Sequence, residues 1–287
     1  MTPPLRTTHR PYKFSAVALI DVLGFKGIER RHDPAAVTAA LGTAREAIDN
    51  LTKWMTTEDV SQFNLLGGRP NVISSWFSDT ICVVSQLPTP GPLQLELDEN
   101  DPRVQAALVE VLVRCVATMI DKAVVTSNPP LVFRGVITVG DLIVDQANIY
   151  MGPAINEASE LYEIATGAFV WLTPAAARLP YKDVEQVGHD GLVWYDVPTK
   201  AGVIRTRVVN PFINTLAASS EGSKIERGFE EAMKGDRFDI AMKRQHTRRF
   251  LRKIIAKDWD LHNSDPDALD GLEAQLRAID PSDKTPS

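Results

Sequence analysis

Two aspartates stand out by the company they keep. Asp21 closes the apolar run Phe14–Ile20, and Asp79 is the only charge in the stretch NVISSWFSDTICVV, residues 71–84. A carboxylate at the end of so apolar a strand is costly to desolvate unless something compensates it, and a divalent cation is such compensation. Two carboxylates on adjacent antiparallel strand ends could share a metal pair ~3.5 to 4 Å apart, the arrangement that serves in-line displacement at phosphorus. The alternative is that both aspartates cap turns. From Asp21 the chain reads DVLGFKG, with two glycines bracketing a turn between strand and helix. Such a turn can present backbone N–H groups to an anion, and a triphosphate would suit it. Glycine also serves strand-to-helix turns for conformational reasons alone.

Counts narrow the chemistry further. Cys82 and Cys115 each lie inside an apolar run, which reads as two buried thiols and leaves neither a disulfide framework nor a cysteine zinc site. His9, His32, His189, His246 and His262 show no ligand spacing. A net charge of -6 argues against a protein that coats nucleic acid, and no nucleic-acid partner is expected. The run KRQHTRRFLRK, Lys243 to Lys253, could meet nucleic acid or form the wet face of a helix whose apolar side is Phe250, Leu251, Ile254 and Ile255. No apolar run reaches the ~18 to 20 residues a bilayer requires, since Phe14–Ile20 stops at Asp21 and Val104–Ile120 is broken by Glu110 and Arg114. No membrane insertion, no signal peptide and a cytoplasmic location are the expectations.

The elements that must position the two aspartates can be read from pattern. Phe14–Val22 predicts a buried strand, and the spacing of Val37, Leu41, Ala44, Ile48, Leu51 and Met55 after Asp33-Pro34 predicts an amphipathic helix. Residues 71–77 and 80–86 read as a hairpin with Ser78 and Asp79 at the bend. Asp101-Pro102 opens a helix to about Val125, apolar around most of its circumference and therefore central to the core or partly in an oligomer interface. Next come a strand over 131–139, a turn at Gly140-Asp141, a short return strand at 143–144, a helix over 153–165 and a strand over 168–172. A final antiparallel pair falls at 191–197 and 203–209. Charged helices are expected at 224–234, 236–259 and 267–279. The fold class is α+β. The expected domains are a flexible N-terminus 1–12, a catalytic unit 13–215, a helical extension 222–280 and a flexible tail 281–287.

This order resembles the class III nucleotide cyclase catalytic domain over roughly residues 14 to 214, a ferredoxin-like palm sheet flanked by helices. Asp21-Val22-Leu23-Gly24-Phe25 matches the family's opening Asp-hydrophobic-x-Gly-Phe, and Asp79 in FSDTICVV matches its second metal aspartate. FRGVITVGD matches an Arg-containing strand, and Gly152-Pro153-Ala154-Ile155-Asn156 matches a helix start ahead of the strand-like GAFVWLT. The resemblance implies that Asp21, Asp79 and the Val22 carbonyl hold two Mg²⁺ or Mn²⁺ ions and that Leu23, Gly24, Phe25 and Lys26 hold the triphosphate. It further implies that Asn156 is catalytic and that Lys200 stands where cyclases place a triphosphate-binding lysine; a solvated hairpin lysine is the other reading of Lys200.

Three positions depart from purine-specific members. The base-reading lysine becomes Ser75, the base-reading acid becomes Ile149, and the arginine that supports the transition-state phosphate becomes Glu160. Together with IDVLGF, FSD, RGVITVGD and INEASELYE, these departures resemble the pyrimidine cyclases of the bacterial Pycsar antiphage system. That resemblance implies conversion of UTP to cyclic UMP by a homodimer beside a separate effector protein, with cyclic CMP or an inactive nucleotide sensor as alternatives. Trp76, Tyr150 and Asn148 are the candidates for the base pocket, and Trp76 and Tyr150 can equally be core aromatics. Arg134 either supplies missing positive charge or forms an ordinary ion pair.

Overall fold

The computed structural model describes residues 13–57, 70–87, 98–145, 150–181, 191–212, 222–234 and 238–255. The tails, the helix expected at 267–279, and Asn148 and Ile149 lie outside these residues.

Residues Lys13–Val22 form β1, which burial and β-rich composition dictate: every residue from Ser15 to Val22 is buried. The chain continues through α1 (Pro34–Thr57), the hairpin β2 (Asn71–Phe77) and β3 (Thr80–Gln86), α2 (Pro102–Val125) and β4 (Phe133–Val144). After these come β5 (Tyr150–Met151), α3 (Pro153–Leu161), β6 (Val170–Leu172) and the single turn α4 (Pro174–Ala177). The hairpin β7 (Leu192–Thr199) and β8 (Gly202–Val209) leads to α5 (Gly222–Ala232) and α6 (Phe238–Ile255). One mixed sheet runs β2-β3-β1-β4-β6-β8-β7, with β5 on β4, and among the described residues only β4 and β6 pair in parallel. The first six elements, β-α-β-β-α-β with β1 between β3 and β4, are the split βαβ arrangement, so the α+β class and its helix-flanked sheet are observed.

Because strand side chains alternate, β1 feeds two cores. Ala16, Ala18, Ile20 and Val22 face α1 and α2, while Val17 and Leu19 face α3. Asp101 caps α2, its Oδ1 accepting from the Arg103 amide at 2.8 Å, with Pro102 at the first helical position. The apolar circumference of α2 is consumed within one chain: α1, α5 and the sheet cover it, so it is central to the core. Helices α5 and α6 dock on the same body, α5 through Ile225, Phe229 and Met233 and α6 through Phe250, Leu251 and Ile254.

The structure departs from expectation in four places. β4 does not turn at Gly140-Asp141 but runs on to Val144, because β1 begins at Lys13 and gives residues 140–142 partners. Gly140 absorbs the distortion at φ 153°, a conformation residues with a Cβ rarely adopt. The return strand is β5, not 143–144. α3 stops at Leu161, since Ile164 and Ala165 are drawn onto the β7–β8 turn, where the Lys200 amide donates to the Ile164 carbonyl at 3.1 Å and Ala165 bridges Thr199. α4 went unread. Among the described residues no helix is long and apolar enough to cross a membrane.

Candidate active site

The hairpin bend and the end of β1 are tied together by backbone. Thr80 pairs with Asp21 across the ladder, and the Val22 amide donates to the Asp79 carbonyl at 3.0 Å. Ser78, at φ 57°, supplies the left-handed first residue of this two-residue turn. The consequence is that both aspartates reach one spot. Burial pushes the Asp21 carboxyl above the ordinary aspartate range; Arg134 pulls it down, and the neighbouring Asp79 carboxyl raises it further by charge and hydrogen bonding.

Arg134 faces Asp21 directly across the β1–β4 ladder. Its Nε and Nη2 donate to Asp21 Oδ2 at 3.3 and 3.0 Å, and Nη2 also donates to Glu163 Oε1 at 3.0 Å. The Arg134 side chain is 13% exposed, that of Asp21 11% and that of Glu163 48%. Next to Glu163, Tyr162 has its hydroxyl pushed up by burial, then by the charges of Glu163 and Asp21. Sequence reasoning missed Glu163; its one signal was an acid just past the end of the INEASEL helix, where the chain must return to the sheet.

In the turn after β1, the Leu23 amide donates to the Val132 carbonyl at 2.8 Å and the Phe25 amide to the Val22 carbonyl at 3.3 Å. The amides of Gly24 and Lys26 have no acceptor among the described residues, and both residues are exposed. The Lys200 side chain is exposed at the β7–β8 turn, whose backbone touches Ile164 one residue from Glu163. The β1 end, the hairpin bend, Arg134 and the segment after α3 therefore meet at one end of the sheet.

Asn156 is not brought to this spot. Ala154 and Ala158 bury the inner side of α3, and Asn156 and Glu160, each two residues on, are exposed on the outer side. The base-pocket candidates separate as well. Ser75 Oγ lies 2.6 Å from Tyr150 Oη, on the sheet face that carries Asp21, whereas Trp76 points through the sheet into the α1–α2 core. A pocket walled by Trp76 and Tyr150 together is therefore excluded by the alternation of β2.

The donor set suits a hard divalent cation. Two carboxylates and main-chain carbonyls are oxygen ligands of the kind Mg²⁺ and Mn²⁺ take, and Mg²⁺ characteristically uses only one or two carboxylates beside waters and substrate phosphates. Among the described residues no cluster of three His, Cys, Asp or Glu converges.

No protein-family profile matches the chain. No curated protein matches its sequence. Similar solved structures exist. The catalytic core of a rhodopsin-guanylyl cyclase with converted specificity, in complex with ATPαS, is 15% identical with a TM-score of 0.41 over 70% of this chain and 97% of its own. The monomeric guanylyl cyclase domain of a fusion protein from the aquatic fungus Blastocladiella emersonii gives 13%, 0.42, 70% and 96%. A Trypanosoma brucei adenylate cyclase in its monomeric state gives 14%, 0.40, 71% and 93%.

Proposed function

We propose that this chain is a nucleotide cyclase that converts a pyrimidine ribonucleoside triphosphate, UTP, into cyclic UMP and pyrophosphate. The observation that carries the reading is the convergence of Asp21 and Asp79 on neighbouring strand ends, beside a turn whose Gly24 and Lys26 amides have no acceptor among the described residues. In the reaction the ribose 3′-hydroxyl gives up its proton to water, its oxygen forms a bond to the α-phosphorus, the bond from that phosphorus to the bridging oxygen breaks, and pyrophosphate leaves. Two bound Mg²⁺ or Mn²⁺ ions, held by Asp21, Asp79 and the Val22 carbonyl, would supply Lewis-acid stabilisation of the developing charge.

This chain's own residues do the rest. The Gly24 and Lys26 amides and the Lys26 and Lys200 ammonium groups bind the triphosphate. Arg134 Nη1, which donates to none of the described residues, offers a guanidinium beside the reacting phosphate where Glu160 replaces the usual arginine. Ser75 and Tyr150 offer two hydroxyls in place of the lysine and acid that read a purine, and Tyr150 shortens the pocket toward a single ring. A second copy of the chain is part of the proposal, because the outward-facing Asn156 can serve only a site on another molecule. Phe77, 62% exposed on the Asp21 face, gives such a copy an apolar foothold. The unit 13–215 would be catalytic, the helices from 222 an appendage docked on it, and a separate effector would sense the product in antiphage defence.

The test incubates the protein with each of the four ribonucleoside triphosphates and Mn²⁺ and separates the products. Cyclic UMP is expected. Cyclic CMP overturns only the choice of base, cyclic AMP or cyclic GMP as main product overturns the pyrimidine pocket, and no cyclic nucleotide at all favours the inactive sensor.

A further inference from the structure

The hydrogen bonds around Arg134 pose a competition. A guanidinium occupies Asp21 Oδ2, the carboxylate on which a divalent cation would also depend, and the same Nη2 nitrogen is shared at equal distance with Glu163 Oε1. Glu163 does not occupy that position by chance of a free surface loop. The segment that carries it is fastened on both sides: the Thr166 amide donates to the Pro198 carbonyl at 2.8 Å, and the Ala168 amide donates to Thr247 Oγ1 of α6 at 2.9 Å. His246 Nδ1, also on α6, lies 3.0 Å from the Thr166 hydroxyl. Thr247 is itself buried and returns its hydroxyl hydrogen to the Lys243 carbonyl at 2.8 Å.

Resting on the reading of Asp21 as a cation ligand, we infer that Glu163 is a positioning residue that shares Arg134 with Asp21 and thereby sets how strongly the guanidinium competes with a divalent cation. The electrostatic sign is the same by two routes. Without the Glu163 charge, Arg134 binds Asp21 alone and yields it less readily, and the site as a whole is also less negative; both weaken cation binding. Removing Arg134 acts oppositely, by taking away both a competitor and a positive charge. The C-terminal extension enters here as the part that holds Glu163 in reach, through Ala168 and Thr166.

The experiment measures Mn²⁺ binding to the full chain without nucleotide, by the loss of the free-ion electron paramagnetic resonance signal, and turnover separately. Glu163→Gln is expected to weaken Mn²⁺ binding by roughly fivefold to tenfold, a factor limited by the solvent on half of that side chain. Glu163→Asp, which keeps the charge, should restore most of it, and Arg134→Ala should bind Mn²⁺ more tightly than the unmutated chain. Glu46→Gln, an exposed change of the same charge on α1 behind the sheet, should leave the affinity unmoved and serves as the net-charge control. In turnover, Glu163→Gln should raise the Mn²⁺ concentration for half-maximal rate while leaving the rate at saturating Mn²⁺ within about twofold.

Equal Mn²⁺ affinity in the unmutated chain, Glu163→Gln and Arg134→Ala overturns the inference and leaves the cyclase reading standing if cyclic nucleotide is still made. The predicted affinity shifts in a protein that cyclises no triphosphate support the inference and overturn the cyclase reading. A fall in saturating rate equal to the fall in affinity, unrescued by Glu163→Asp, also overturns it, because a merely structural role would act that way. Unchanged thermal unfolding confirms that each variant is folded when it is measured.

Discussion

Ser75 Oγ and Tyr150 Oη sit 2.6 Å apart and bind β2 to the two-residue β5 over the sheet face that carries Asp21. Burial pushes the Tyr150 hydroxyl up, against the pull of the Ser75 hydrogen bond, so both hydroxyls stay neutral near pH 7. Ser75→Ala leaves the Tyr150 hydroxyl without this partner and should cost about 1 kcal/mol of stability, read by denaturant unfolding. In a competition among equal triphosphates the same variant should lose about tenfold of the proposed pyrimidine preference. Unchanged product ratios in Ser75→Ala would remove this pair from base reading.

The proposed mechanism gives Asp21 and Asp79 different balances of catalysis and stability. Asp79→Asn changes a half-buried side chain at a turn and should alter unfolding free energy by about 0.5 kcal/mol or less, yet reduce turnover by about a thousandfold. Asp21→Ala should abolish turnover too, and also cost about 1 to 3 kcal/mol, because Arg134 keeps only Glu163 as counter-ion. Full activity in either variant contradicts the two-carboxylate mechanism.

At Gly135, β1 leaves β4 no room for a side chain. A Cβ there would stand 2.3 Å from the Leu19 carbonyl oxygen and 2.8 Å from Ile20 Cα, both backbone atoms that cannot swing aside. Gly135→Ala should therefore destabilise the chain by about 3 kcal/mol or more and depress activity through the displaced Asp21–Arg134 register. A melting temperature equal to that of the unmutated chain would contradict the ladder between these strands.

The cysteines give the pH dependence. Burial pushes Cys82 and Cys115 up to about 12 from an ordinary 9.0. Their thiols stay protonated in the folded chain while the unfolded chain releases protons, so the stability they contribute is complete below pH 9 and is lost as pH rises toward 12. Each thiol should remove about 1.4 kcal/mol of unfolding free energy per pH unit in that window. The Cys82→Ala, Cys115→Ala double variant should show a shallower decline between pH 9 and 10 in urea unfolding. Both thiols should react with a disulfide reagent only after denaturation, and rapid native labelling would refute their burial.

The parts of the fold governed by short-range pattern were legible. The β1 run, the Asp101-Pro102 helix start and the Ser78-Asp79 bend each follow from alternation, capping or turn chemistry, and the structure has all three. What failed depended on partners distant in sequence. Gly140 reads as a turn until β1 is known to extend to Lys13, and α3 reads as longer until the β7–β8 turn is known to claim Ile164. Trp76 reads as a pocket candidate beside Tyr150 until its neighbour Ser75 is placed on the opposite face, a constraint that period-2 alternation already contains. The partner of Glu163 could not be read from its place past the INEASEL helix, since Arg134 is 29 residues away and its aim depends on the β4 register.

Phe169, Tyr195 and Phe250 form an aromatic trio with centroids 4.9 to 5.6 Å apart, in which Phe250 meets both other rings edge to face and itself arrives on α6 near the end of the described chain. During synthesis the sheet is thus complete in sequence well before the layer that seals its α3 side exists. A nascent chain would hold Phe169 and Tyr195 open to water until residue 250 had been made, and the segment bearing Glu163 would have no α6 to fasten it. Chains released early would carry both aspartates and an unsealed sheet face, a species suited to capture by chaperones rather than to chemistry.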